Sequence, residues 1–295
     1  MVKGKRIPKY VIISPVRDEE AYLRLTLDSV VEQTVCPLEW VIVNDGSTDH
    51  TDKIIDEYAS RHSWIRAVHR KNRGYRKAGG GVVEAFNDGY AVLGRTEWEF
   101  IVKLDGDLSF APDYFERCFR YFDREPRLGV GGGVVYNEKQ DDSQKLELGG
   151  PRFHVRGATK IYRRACWQDI GNLLIAPGWD TLDEVKANMR GWTTKTFLDL
   201  SLLQHKCTGA ADGRWRDSVK NGKANYICGY HPLFMLTKCI SRLRYWPYLI
   251  GPMGLLYGFV AGYLKDIPRV NDPELIRYLR GQQLGRLFGG DTIWR

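Results

Sequence analysis

The chain has 295 residues, and 44 Lys+Arg against 36 Asp+Glu give a net charge of +8. Its 43% apolar fraction supplies a packed core, and 27% charged with 12% aromatic residues excludes a disordered chain. The length fits one large α/β domain or two ordinary ones, no collagen, coiled-coil or solenoid period is present, and the positive balance points to nucleic acid, membrane headgroups or phosphates.

The start, MVKGKRIPKYVIIS, lacks an apolar stretch with a small-residue cleavage site and does not read as a secretion signal. Residues 10–14 (YVIIS) predict a buried strand, and Leu23, Leu27, Val30 and Thr34 form the stripe of a helix over 20–34. A strand at 39–43, a cap-rich turn at 44–49 and a helix to about Arg61 follow. Strands at 65–69, 100–104 and 128–136, with a helix over 82–93 and another opened by Pro112, complete an alternation that implies parallel βαβ units. Beyond 145, 158–162 and 192–197 read as strands and 181–190 as a short helix ended by Gly191, while 199–226 reads as a long polar loop. The last segment, 236–295, has nine basic groups against four acids. Six cysteines at 36, 118, 166, 207, 228 and 239 form no CxxC pair, so zinc knuckles and a disulfide framework are not expected and a reduced, cytoplasmic setting is.

The polar clusters fall at strand ends, where ligands of open α/β sheets bind. Asp105-Gly106-Asp107 follows an apolar strand; two carboxylates at i and i+2 suit a hard cation that also binds phosphate, and the glycine would let a ligand approach the backbone. A solvated turn presents the same three residues. In Asn44-Asp45-Gly46-Ser47-Thr48-Asp49, helix capping explains the last three, whereas Asp45 is placed to accept from a ribose or base. Seven Lys/Arg and no acid lie between Arg61 and Lys77; most read as a solvated basic face, with Lys77 beside Gly79-Gly80-Gly81 facing a phosphate site.

Taken together, VIISPVRDEE, VIVNDGSTDHT, NRG at 72–74 and KLDGD, in that order, resemble the nucleotide-sugar half of family 2 glycosyltransferases over about 10–230. The resemblance implies a GT-A fold, a Rossmann-like, mostly parallel sheet flanked by helices, here with a helical C-terminal tail. It implies that Pro15, Arg17 and Glu19 border the nucleobase pocket, that Asp45 touches the nucleoside, that Asp105 meets ribose or diphosphate, and that Asp107 ligates Mg²⁺ or Mn²⁺. An inverting transferase needs a base for the acceptor hydroxyl. Thr181 and Glu184 form a T-x-x-E capping box, which would leave Asp180 in the loop before the cap and Asp183 in the first turn. Family spacing back from Gly191-Trp192 favours Asp180, with Asp183 as the alternate and Trp179 where the family commonly has Glu. His205 matches a His that helps some relatives hold metal or diphosphate, though a lone His is usually structural. Arg214 and Arg216, with Trp215, are placed to clamp the diphosphate from the polar loop, or simply to face solvent. Gln283-Leu284-Gly285-Arg286 echoes the QxxRW of processive synthases by coincidence.

Residues 245–264 hold no charge but contain two prolines, four glycines and four tyrosines, so a clean spanning helix is not expected. Two short interfacial segments on an anionic membrane, peripheral on its cytoplasmic face, fit the pattern, as does a buried helical pair covering the sheet or forming a dimer contact. The expected organisation is a catalytic domain over 1–235, split near 136 into nucleotide and acceptor halves, with a tail over 236–295. The expected activity is metal-dependent transfer from a nucleoside-diphosphate sugar to a glycan, lipid-linked or small-molecule hydroxyl in surface glycan or glycolipid synthesis. The rivals are a sugar nucleotidyltransferase, whose GTR-type loop is missing, and a basic nucleic-acid-binding protein; no nucleic-acid partner is expected.

Overall fold

The computed structural model describes residues 7–75, 79–137, 151–206, 213–244 and 248–294. Strands β1 (Tyr10–Val16), β2 (Glu39–Asn44), β3 (Ile65–His69) and β4 (Phe100–Leu104) are parallel, in the order β3-β2-β1-β4. β1 and β2 are apolar runs because both faces are covered. Tyr10, Ile12, Trp40 and Ile42 join one hydrophobic cluster with helices α1 (Leu23–Val31) and α2 (Thr51–Arg61). Val11, Ile13, Val41 and Val43 join a second cluster with α3 (Gly80–Ala91) on the opposite face.

Beyond β4 the sheet becomes mixed. β5 (Leu108–Phe110), β6 (Leu128–Asn137), β7 (Thr159–Arg163) and β8 (Thr193–Gln204) extend it as β4-β7-β6-β8-β5, and four of the seven strand pairings among the described residues are parallel. Helix α4 (Tyr114–Arg124) covers the first face through Phe115, Phe119 and Phe122, and α5 (Arg164–Ile170) covers the second through Cys166 and Trp167.

The stretch expected as a polar loop, 199–226, is ordered differently where it is described, with 207–212 lying outside the described residues. It completes β8 and then forms helix α7 (Arg214–Ile227). β8 escapes a period-two reading because its register to β6 slips, from Gly133 opposite Phe197 to Val134 opposite Ser201, leaving Asp199 in an irregularity. α7 escapes because only Gly222 and Tyr226 are buried, so it has no apolar stripe.

Its partner is α9 (Ile250–Leu264), which replaces the two short segments expected over 245–264. Gly254, Gly258 and Gly262 recur every four residues and form the seam against α7. A Cβ on Gly258 would lie 2.1 Å from the Val219 carbonyl oxygen, and one on Gly222 would lie 2.0 Å from that of Leu255. The glycines therefore serve backbone approach between two helices. Among the described residues no helix is long and apolar enough to cross a membrane. α8 (Pro232–Arg242), α9 and α10 (Pro273–Phe288) share a third cluster with Phe153, Leu182 and Val185. The expected boundary after residue 235 falls inside α8, and the C-terminal helices continue the packing of the second half.

Candidate active site

Parallel strands align their carboxyl ends, so the loops after β1, β2 and β4 meet at one edge. Arg17 and Glu19 follow β1, Asp45 follows β2, and Asp105 and Asp107 follow β4, while Pro15 is buried within β1. The Asp45 amide donates to the Val16 carbonyl at 2.8 Å, fixing the first two loops together.

The Asp45 carboxylate is encircled by Arg70 and Arg73, with Arg17 Nη1 at 4.0 Å. Arg70 also reaches Asp88 at 2.8 Å and Arg73 reaches Glu84 at 2.9 Å, both acids carried by α3. Arg66 pairs with buried Glu39 at 3.3 Å. Arg70 and Arg73 are thus half-buried against acids distant in sequence, whereas Arg61, Arg66 and Lys71 stay exposed, as expected of a solvated face. Arg17 ties down the same loop through Asn72 Oδ1 at 3.2 Å and the Tyr75 carbonyl at 3.3 Å. Lys77 lies outside the described residues.

At the β4 end, Lys103 bridges the Asp105 carboxylate and the Gly157 carbonyl. Gly106 does not open a path for ligand, because its Cβ position is filled by Val16 Cγ1 at 2.6 Å. Asp107 is buried; Gln204 Nε2 donates to its carboxylate at 3.0 Å, and the His205 amide donates to its carbonyl at 2.9 Å. Burial, then the neighbouring Asp105 charge, raises the Asp107 carboxyl above its usual range. His205 Nε2 meets Ser109 Oγ at 2.9 Å and its ring stacks on Tyr22. Glu19 accepts from Lys206 at 2.8 Å through Oε1, while its Oε2 is buried with no partner. Burial pushes that carboxyl up to about 7 against the pull of Lys206, with Asp107 and Asp105 adding to the rise. Among the described residues no three His, Cys, Asp or Glu side chains converge on a single metal point. Two close carboxylates, one of them raised by the other, nonetheless fit a cation completed by phosphate oxygens, the usual donor set of Mg²⁺.

Helix α6 (Trp179–Met189) begins two residues before the expected cap. Gly178, at φ 81°, takes the N-cap place, Asp180 lies in the first turn, and no capping box forms. The reason lies underneath. Fully buried Lys160 binds the Asp180 carbonyl, Asp183 Oδ1 at 2.8 Å and Glu184 Oε1 at 2.8 Å. Glu184 accepts from the Val155 amide at 2.6 Å and meets His154 Nδ1 at 2.9 Å, so it is committed to the core rather than to a cap. Asp183 also accepts from the Tyr162 hydroxyl. Burial pushes the Asp183 carboxyl upward against the attraction of Lys160. Asp180 is half-buried instead, and a Cβ on Gly157 would lie 3.2 Å from its Oδ2. Gly157 is the residue whose carbonyl Lys103 holds beside Asp105, so the α6 carboxylate and the β4 carboxylates border one region. Trp179 lies over both lysines, with Lys103 Nζ 5.5 Å and Lys160 Nζ 5.6 Å from its ring centroid.

The sequence reading missed Arg70, Arg73, Lys103, Lys160 and Lys206. A signal existed for two of them: FIVKL and ATKIY each place a lysine inside an apolar strand, where an unpaired charge does not survive. Arg214 and Arg216 stand exposed at the start of α7, where Trp215 packs near Tyr257, rather than in a loop. Gln283 is buried and accepts from the His231 amide at 2.8 Å, a structural role.

The family model described as Glycosyl transferase family 2 matches residues 11–173. The chain is 30% identical over 135 residues to the uncharacterized glycosyltransferase EpsJ of Bacillus subtilis (strain 168), covering 46% of this chain and 36% of that protein. It is 32% identical over 138 residues to the chondroitin synthase of Pasteurella multocida (strain Pm70), covering 47% and 13%. It therefore spans about a third or less of these relatives' length. Its fold is similar to that of the mannosyltransferase PcManGT from Pyrobaculum calidifontis, solved with GDP-Man and Mn²⁺, with a TM-score of 0.59 at 16% identity over 98% of this chain and 77% of that one. S. aureus TarS 1–349 in complex with UDP-GlcNAc gives a TM-score of 0.53 at 18% identity, covering 94% and 81%.

Proposed function

The chain belongs to glycosyltransferase family 2, and we propose that it transfers a sugar, with inversion, from a nucleoside-diphosphate donor to an acceptor hydroxyl during glycan or glycolipid synthesis. Neighbours solved with GDP-Man and with UDP-GlcNAc support a donor of this class. Asp45, with Arg17, Arg70 and Arg73, holds the nucleoside end, and Pro15 and Glu19 border it. Asp105 and Asp107 face the ribose and diphosphate. Mg²⁺ or Mn²⁺ would be held by Asp107, with His205 joining on exchange of its Ser109 hydroxyl, and when bound it offsets charge on the diphosphate. Lys77, Arg214 and Arg216 are proposed to contribute positive charge to the same diphosphate.

Asp180 is the base. It takes the proton of the acceptor hydroxyl as that oxygen bonds to the anomeric carbon, and the bond to the diphosphate breaks on the opposite face. The observation that carries this assignment is that Asp180 borders the space a Cβ on Gly157 would take, beside the Lys103–Asp105 pair, set against the burial of Asp183 on Lys160. The six cysteines without a pairing pattern support a cytoplasmic setting. Asp180→Asn is expected to lower turnover about 10²–10⁴-fold while the melting shift given by UDP- or GDP-sugar with Mn²⁺ persists. Wild-type turnover in this variant would sink the base assignment, and no shift from any UDP-, GDP- or dTDP-sugar would sink the donor class.

A further inference from the structure

Twelve of the twenty large apolar side chains exposed among the described residues fall within 233–264. They are ordered. On α8, Leu233, Leu236, Ile240 and the following Leu243 form one stripe at helical spacing. On α9, Ile250, Met253, Tyr257, Val260 and Leu264 form another, on a face distinct from the glycine seam that holds α7. The two helices are in contact. A soluble surface rarely leaves so much contiguous apolar area open without a partner.

The charge around the stripes selects the partner. Between Asp217 and Asp266 the chain has no acid and six Lys/Arg, of which Arg242, Arg244 and Lys265 stand exposed, Arg244 and Lys265 directly following the two stripes. A two-fold contact with a second copy would set this acid-free span against itself, opposing like charges. A bilayer carrying anionic headgroups complements both features, apolar stripes below and positive groups at the phosphates. Exposed Tyr248, Tyr257 and Tyr263 suit the boundary between them. We propose that the α8–α9 surface docks this protein onto anionic phospholipid bilayers, lying on the leaflet without crossing it. The third hydrophobic cluster joins these helices to α6, so docking brings the half bearing Asp180 to the lipid surface.

The inference goes beyond the catalytic reading and does not rest on it, because its test reads lipid binding rather than transfer. The full chain is pelleted with sucrose-loaded vesicles of phosphatidylcholine, alone or with about 30% phosphatidylglycerol. The expected result is sedimentation with the anionic vesicles only, weakening as salt is raised to roughly 0.5 M. Leu236→Glu with Ile240→Glu and Met253→Glu, all at exposed positions, should keep the wild-type melting temperature and lose at least about tenfold in partitioning. Should that variant melt early, Arg242→Ala with Arg244→Ala decides, each change lowering partitioning about fivefold. Three outcomes overturn the proposal: no sedimentation of wild type with anionic vesicles, undiminished binding by both variants, or a wild-type dimer that the triple substitution dissociates while no vesicle binding is seen.

Discussion

Lys103 and Lys160 are direct partners across the antiparallel β4–β7 pair, an arrangement that like charges normally disfavour. Each is neutralised from a different side, Lys103 by Asp105 and Lys160 by Asp183 and Glu184, with the Trp179 face between them. The tryptophan standing where the family commonly has an acid is therefore matched to a two-lysine floor. Lys160→Met would leave two buried carboxylates without their cation and should cost about 3–5 kcal/mol of stability. A urea midpoint within error of wild type would show that the network holds α6 by other means. Glu19 gives a second residue-scale expectation. Its carboxyl moves from 4.5 to about 7 on folding, so the unfolded chain ionises first. Its contribution is intact below pH 4.5 and is lost as pH rises through about 7. In metal-free buffer, Glu19→Gln should remove that part of the decline, and a pH-independent difference in melting temperature between variant and wild type would refute the assignment.

At the level of elements, the α7–α9 seam and α10 offer a matched pair of glycine substitutions. Gly258→Ala meets the Val219 backbone and should cost about 1–3 kcal/mol. Gly281→Ala, inside α10 with nothing within 4 Å of its Cβ position, should add about 0.4–1 kcal/mol. Equal effects in chemical denaturation would mean that the seam is not closed by backbone approach. The same elements explain what could be read beforehand. β1, β2 and β4 were legible because each is a compact apolar run ending in polar residues, and that punctuation also located Asp45, Asp105 and Asp107. The part of β8 beyond Phe197 and all of α7 were not, because a register slip and a glycine-mediated contact leave no periodic signal. The start of α6 was misread for a related reason: the partner of Glu184 comes from β7, not from the helix end. Arg70 and Arg73 looked like surface charge because their acids lie just after β2 and on α3.

For the molecule as a whole, the net charge of +8 is not spread evenly. Asp45, Glu39, Glu84 and Asp88 answer the arginines of the nucleotide half, while the acid-free span between Asp217 and Asp266 carries its charge outward. The C-terminal helices are nevertheless not an appendage. Met235, Cys239, Leu255, Phe259, Leu275 and Leu279 pack in one cluster with Leu182 and Val185 of α6. Each such side chain contributes on the order of 1.5–3 kcal/mol when fully buried. Removing residues 232–295 would strip the third cluster's C-terminal side chains from α6, the helix that carries Asp180, while leaving the clusters around β1–β4 intact. The shortened chain should bind the dye ANS, melt well below the full chain and lack turnover, yet retain a nucleotide-induced melting shift from its β1–β4 half. A fragment that melts with the full chain and still turns over would make 232–295 a separable tail, and would detach the lipid-facing helices from the chemistry.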